Sequence, residues 1–221
     1  MPEPSLSSAS ASVIETEVYA AQKKRWPSSG RHILAAFDDE RIVVYQAYRP
    51  DIGHFAATNG YFGGSFSLSR MSWIKPNFLW MMYRCGWAQK RDQEVVLAVS
   101  IARAAFDSIL ASAVHSSFVP EVYADRDAWK AALKSSDVRL QWDPDHNPAG
   151  GKLERRAIQL GLRGATLASY ARDWIIDIED VTGFVTEQRA NIGDHDALRT
   201  PAERVYPVGD SEVAKRLGLQ A

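Results

Sequence analysis

Between Glu94 and Ile101 the chain reads Glu-Val-Val-Leu-Ala-Val-Ser-Ile, with one polar residue after the first position. Its length suits a strand, and its β-branched residues favour extended backbone. Because apolar residues do not alternate with polar ones, neither face of that strand can look at water. It is a central strand covered on both sides. Such a strand needs packed elements above and below it, and 221 residues are enough to supply them in one domain.

The flanking pattern alternates strands and helices. Residues 33–37 and 42–48 read as strands around the turn Asp38-Asp-Glu40, a hairpin. Period-2 alternation puts Ile42, Val44, Gln46 and Tyr48 on one face and Val43, Tyr45 and Ala47 on the other. Pro50 opens a helix that Asn59-Gly60 stops, and Pro76 opens another that ends near Gly86. Helices are expected at about 103–113, 127–134 and 165–173, and strands at 155–162 and 174–181. A short helix within 13–26 ends at Pro27-Ser-Ser-Gly30, and Trp142-Asp-Pro-Asp-His-Asn-Pro148 reads as turns. The expected organisation is a Ser/Ala/Pro tail over 1–12, one mixed α+β domain over 13–187 with flanking helices, and a polar, peripheral extension over 188–221.

Composition removes several function classes. Hydrophobic residues make up 46% and charged residues 24%, as in ordinary globular proteins. The formal net charge of −1 gives no global basicity of the nucleic-acid-binding kind. The one cysteine, Cys85, excludes a disulfide framework and a cysteine-cluster metal site. No apolar run is long enough to span a bilayer, so no membrane partner is expected. The start, Met1-Pro-Glu-Pro, lacks a basic n-region and an apolar h-region, and the expected location is the cytoplasm. Nothing in the sequence sets an oligomeric state.

The informative window is 52–91. It holds no Asp or Glu but contains Arg70, Lys75, Arg84, Lys90 and Arg91, a local positive patch in a neutral chain. With Pro76 as first helical residue, Lys75 sits at a helix N-terminus, whose free N–H groups also favour anions. On that helix Asn77, Trp80, Arg84 and Trp87 form one stripe, which can receive a flat anionic ligand by ion pairing and stacking. Alternatively, Trp80 and Trp87 are core aromatics and Arg84 snorkels past them. Gln159, between Ala157 and Gly161 on one strand face, has small neighbours that leave room for a ligand. It either lines a pocket or faces water, and Gln46 and Tyr48 pose the same question. Asp143, Asp145 and His146 superficially resemble a metal cluster, but beside two prolines such residues serve turns, and no metal is expected. No Walker loop or dinucleotide fingerprint is present.

Residues 43–48 (Val-Val-Tyr-Gln-Ala-Tyr), 70–84 (Arg-Met-Ser-Trp-Ile-Lys-Pro-Asn-Phe-Leu-Trp-Met-Met-Tyr-Arg), 157–162 (Ala-Ile-Gln-Leu-Gly-Leu) and 178–182 (Ile-Glu-Asp-Val-Thr) resemble the domain of unknown function 4291 family. That likeness covers roughly 33–185 and implies no activity. A looser resemblance is to the ADP-ribosyltransferase fold, which binds NAD in a cleft between two small sheets. It maps a first motif to Gln46, Tyr48 and Arg49, a second to Ser72, Trp73 and Lys75, and a third to Gln159. Gln159 stands where many transferases carry a catalytic Glu, and an amide cannot act as a base; Glu154 and Glu179 are the substitutes that resemblance offers.

The leading expectation is an NAD-binding, ADP-ribosyltransferase-like protein that modifies a nucleic acid or a nucleotide-bearing small molecule. In it Arg70, Lys75 and Arg84 hold the pyrophosphate, and Tyr48 and Trp80 offer stacking surfaces. Gln159 or Gln46 orients ribose hydroxyls, and Gln159, Tyr48 and Glu154 stand nearest the chemistry. Two rivals use the same surface: a non-enzymatic nucleic-acid-binding module, and a protein-interaction domain with a tryptophan hot spot.

Overall fold

The computed structural model describes residues 14–219, so the expected tail at 1–12 lies outside the described residues. In chain order the elements begin with β1 (Thr16–Val18), α1 (Tyr19–Lys23), β2 (Gly30–Arg31), β3 (Leu34–Ala35), β4 (Arg41–Tyr48) and α2 (Pro50–Asn59). Next come β5 (Ser72–Ile74), α3 (Phe78–Cys85), β6 (Val95–Ala102), α4 (Arg103–Ser112), β7 (Ala113–His115), α5 (Arg126–Ser135) and β8 (Val138–His146). The chain continues through β9 (Lys152–Leu162), α6 (Gly164–Arg172), β10 (Ile175–Asp180) and α7 (Thr182–Arg189), then closes with β11 (Arg199–Pro201), β12 (Arg204–Val205) and α8 (Ser211–Leu217). The architecture is a mixed α+β domain with several sheets.

The apolar run becomes β6, the middle strand of an antiparallel sheet ordered β10-β6-β4. Both faces of that sheet are covered. Val95, Leu97, Val99 and Ile101 join Ile42 and Val44 in the larger core, together with α4, α6 and the inner residues of β8 and β9. Val96 and Ala98 join Val43 and Tyr45 in a second core under α3, α1 and α7. The alternation read from 42–48 therefore divides β4 between two cores as expected.

A five-stranded sheet runs β2-β9-β8-β7, with β5 also paired to β9. It meets the three-stranded sheet at one point, an antiparallel bridge between Tyr45 and Lys75. There Tyr45 N–H donates to the Lys75 carbonyl at 2.7 Å. Two further two-stranded ladders, β1-β11 and β12-β3, add to the two expected sheets.

Several local expectations need correction. The short helix expected within 13–26 is present as α1, and the strand β1 precedes it. The hairpin is partial: β3 pairs with β12, and only a Phe37–Ile42 bridge and the Val43-to-Ala36 hydrogen bond tie that segment to β4. The stretch 142–146 is the end of β8, where a register shift between Pro144 and His146 absorbs the proline. The segment 188–219 is not peripheral. It supplies β11 and β12, and it buries Leu198, Tyr206, Val213 and Leu217.

That C-terminal segment also contributes Glu203, which is 4% exposed. Its carboxylate accepts from the Phe78 backbone N–H at 2.6 Å and from Asn77 Nδ2 at 3.0 Å. Asn77 in turn caps α3 by accepting from Trp80 N–H at 2.7 Å. The N-terminus of α3 is thus filled by the protein's own carboxylate, and the helix starts at Phe78, two residues later than Pro76 suggests. Lys75 lies outside it, so helix-end N–H groups add nothing to an anion at Lys75.

Burial raises the Glu203 carboxyl to about 8, against the pull of its hydrogen bonds. Between its ordinary value of 4.5 and about 8 the folded chain keeps a proton that the unfolded chain has released. Its stabilising contribution is therefore complete below 4.5 and is lost as the pH climbs to about 8. Urea unfolding between those limits should show stability falling with pH, and Glu203→Gln should flatten that slope. Glu203→Ala strips two donors of their acceptor and should cost roughly 1–3 kcal/mol.

Candidate functional site

Beyond the Tyr45–Lys75 bridge the two sheets part, and a cavity of about 690 Å³ opens between them. Its wall takes Gln46, Tyr48 and Arg49 from the end of β4, Ser72, Trp73 and Lys75 from and just after β5, Arg84 from α3, and Gln159 from β9. Arg70 comes from the loop before β5, with Ser65, Phe66 and Ser67 of the same glycine-rich loop. Three separated segments that sequence singled out thus share one space. Trp80 and Glu154 do not. Trp80 is buried, its ring stacked 5.3 Å from both Tyr83 and His146. Trp87 is buried too, with a left-handed backbone after the helix and its indole N–H on the Pro148 carbonyl. Trp80 is a core residue, as the alternative reading of the stripe has it. Glu154 is exposed on β9, and Glu179 does not line the cavity; its charge acts on Tyr45, on the other face of the sheet.

The lining carries four basic side chains, Arg49, Arg70, Lys75 and Arg84, against one acid, Asp92. Arg49 is paired with Asp51 at 2.6 Å. Arg84 reaches only the Gln93 amide oxygen, at 3.3 Å, and Arg70 makes no hydrogen bond or ion pair among the described residues. Lys75 is 5% exposed, and its ammonium finds only the Trp73 carbonyl, at 3.4 Å. Desolvation, helped by Arg84, lowers it to about 8, while Asp143 pulls the other way. A second cavity of about 560 Å³ lies against Val43, on the other side of β4, but Arg25 pairs there with Glu17 and Arg41 with Asp38. Its third base, Arg204, donates to the Phe37 carbonyl, and four acidic residues stand in that lining against three basic ones, so of these two cavities the first is the one with an excess of basic residues.

The polar side chains fall into two groups. Gln46 donates from Nε2 to Tyr48 OH and Ser72 Oγ, each at 2.8 Å, and accepts at Oε1 from Tyr170 OH at 2.7 Å. Its amide is used within the protein, so the ribose-orienting role expected of Gln46 has no free atom to perform it. Gln46 instead fixes Tyr48 and Ser72, which bond each other at 2.8 Å. Burial pushes the Tyr48 phenol up, so it stays a neutral donor.

Gln159 differs. Its Nε2 donates to Asp143 Oδ2 at 2.6 Å, and Gln141, directly opposite on β8, donates from Nε2 to Asp143 Oδ1 at 2.8 Å. A carboxylate only accepts, so both amides must turn their NH₂ groups toward it. The two Oε1 atoms are left without a donor among the described residues. Gly161 does not leave the ligand space expected of it: a Cβ there would meet Met71 Sδ at 2.6 Å and the Trp73 ring at 3.0 Å.

Sequence reasoning missed Gln141, Asp143 and Tyr170. Asp143 was assigned to a turn, and only the β8–β9 register brings it to Gln159. Asp145 lies elsewhere, in a buried pair with Arg155 at 2.5 Å, and the His146 ring stacks on Tyr83 and beside Trp80.

Lys75→Met should raise stability at neutral pH by roughly 1–3 kcal/mol, because it removes a buried charge without an acid partner. In the wild type the folded chain sheds the Lys75 proton near 8 and the unfolded chain near 10.5, so stability should rise with pH across that window. The Met variant should lack the rise in chemical denaturation. Trp80→Ala should cost about 3–5 kcal/mol and leave anion binding by the refolded protein unchanged.

Among the described residues no helix is long and apolar enough to cross a membrane. No curated protein matches the chain. A family model described as Domain of unknown function (DUF4291) matches residues 32–206, most of the chain and the whole of the cavity wall, and the protein belongs to that family.

Proposed function

We propose that the cavity binds NAD or a related ADP-ribose-bearing nucleotide, and that the protein is an ADP-ribosyltransferase-like enzyme acting on a nucleic acid or nucleotide acceptor. The observation that carries this reading is the meeting of Arg70, Lys75, Arg84 and Gln159, from separate segments, in one cavity with uncompensated positive charge. The arrangement of two sheets parting around a ligand space is also what the fold resemblance calls for.

The residues fit such a ligand by size and chemistry. About 690 Å³ suits a nucleotide-sized molecule. Arg70, Lys75 and Arg84 answer a pyrophosphate, and Tyr48, Phe66 and Trp73 supply ring faces on the same wall. The amide oxygens of Gln159 and Gln141 accept from hydroxyl groups. Bound NAD would bring a ribose bonded to a good leaving group. Among the described residues the one carboxylate in the lining is Asp92, and Gln159 cannot take a proton. What the wall offers the reaction is positioning and electrostatic stabilisation.

The burial of Trp80 and Trp87 weighs against a tryptophan hot spot for a protein partner, and it moves the stacking role in the nucleotide reading from Trp80 to Tyr48, Phe66 and Trp73. Calorimetric titration with NAD, ADP-ribose and a short oligonucleotide separates the readings. NAD and ADP-ribose should bind, and more weakly as salt rises. Arg84→Lys should lose about tenfold or more in affinity despite its kept charge, because an ammonium cannot match a planar fork. Release of nicotinamide from NAD would establish turnover. Absence of binding at millimolar ligand and low salt would remove the nucleotide reading.

A further inference from the structure

Lys75 has an unusual setting for a buried lysine. Its ammonium makes no ion pair among the described residues, and its one hydrogen bond is the long contact to the Trp73 carbonyl. The charged and titratable groups acting on it are Arg84 and Cys85 from α3 and Asp143 from β8. Arg84 and desolvation together outweigh the two acids and bring the amine to about 8. Desolvation beside a second cation is how proteins obtain a free, nucleophilic lysine near neutral pH. Lys75 also lines the cavity that Arg70 and Arg84 share, and that cavity is the route by which a reagent would approach the side chain.

We infer that Lys75 is a nucleophilic amine that captures a small aldehyde or ketone bearing a phosphate or carboxylate, with Arg84 and Arg70 holding the anionic group. The step needs no outside oxidant or reductant. The Nζ lone pair attacks the carbonyl carbon and forms the C–N bond. The carbonyl oxygen then departs as water, carrying the two amine protons, and a C=N bond remains. This goes beyond nucleotide binding: it uses the same cations but requires no nucleotide.

Pyridoxal 5′-phosphate with borohydride trapping is the probe, and peptide mapping by mass spectrometry is the readout. Near neutral pH Lys75 should be trapped at least about tenfold faster than the exposed Lys130, because a far larger fraction of it is unprotonated. The rate should rise with pH and level off above about 8. Inorganic pyrophosphate should slow trapping, and pyridoxal lacking the phosphate should react more slowly. Arg84→Gln should slow trapping near neutral pH and recover in alkali, a pH-profile shift that loss of binding alone would not give. In Lys75→Arg the fast adduct should vanish, because a guanidinium is not a nucleophile near neutral pH. Trapping of Lys75 no faster than of Lys130 would overturn the proposal. Fast trapping that pyrophosphate fails to slow would keep the amine but overturn the anion-holding role of Arg70 and Arg84, and with it the nucleotide reading. Failure of NAD to bind, with fast and pyrophosphate-sensitive trapping, would overturn the nucleotide reading and support this one.

Discussion

The burial of β6 on both faces governs the rest of the structure. A strand with no solvent-facing side must be covered twice, and the two covers differ. On one face lie α4, α6 and the second sheet; on the other lie α3, α1 and α7. Because β4 pairs with β6 along its whole length, it inherits the same division. Its far end emerges between the sheets, so the face that buries Ile42 and Val44 in the core turns Gln46 and Tyr48 toward the cavity. Lys75 marks the backbone bridge between the sheets; beyond it only side chains such as Gln46, Tyr48 and Ser72 span the gap, and the cavity opens beside them.

The groups around that opening follow opposite rules. Gln46 is satisfied by Tyr48, Ser72 and Tyr170, at normal distances, as a buried amide must be. Lys75, a few ångströms of chain away on the neighbouring segment, is nearly as buried and has three donors for one long contact. Other buried polar atoms also lack a partner among the described residues, such as Tyr45 OH and Trp80 Nε1, but Lys75 carries a charge and stands at a cavity wall, which points to a task other than stability. The two behaviours also cooperate. A rigid Gln46 cluster prevents β5 from shifting to solvate the lysine, and Glu203 holds the start of α3, which brings Arg84 to the same wall.

Much of this was legible in the sequence where one physical rule dominated. The strand at 94–101, the two faces of 42–48 and the helix Pro50–Asn59 with its left-handed Gly60 all appear as read. Misreadings arose where two rules competed. Asp143-Pro-Asp145 carries turn chemistry, yet a register shift lets it stay in β8. The stretch 188–219 is polar on average, yet its few apolar residues are spaced to anchor a strap across the domain, and its Glu203 is invisible without the α3 N-terminus it serves. The stripe of Trp80 and Arg84 was correctly periodic, but periodicity does not say which side of a helix meets the core. Arg84 faces the cavity and Trp80 the interior.

The hardest part to foresee is the most instructive chemically. On the looser ADP-ribosyltransferase resemblance, Gln159 stands where an active-site acid is expected. In the structure the acid stands one strand away. Asp143 gives one oxygen to Gln159 and the other to Gln141, so its oxygens fix two amides rather than lining the wall, while its charge still acts on Lys75. Two neutral acceptor oxygens then face a space that is otherwise cationic. An exposed carboxylate there would offset part of the charge on Lys75 and Arg84 and weaken their hold on an anion, whereas amide oxygens accept hydrogen bonds without that loss. On the proposed nucleotide reading, the two amides therefore suit a ligand that is negatively charged at one end and rich in neutral hydrogen-bond donors at the other.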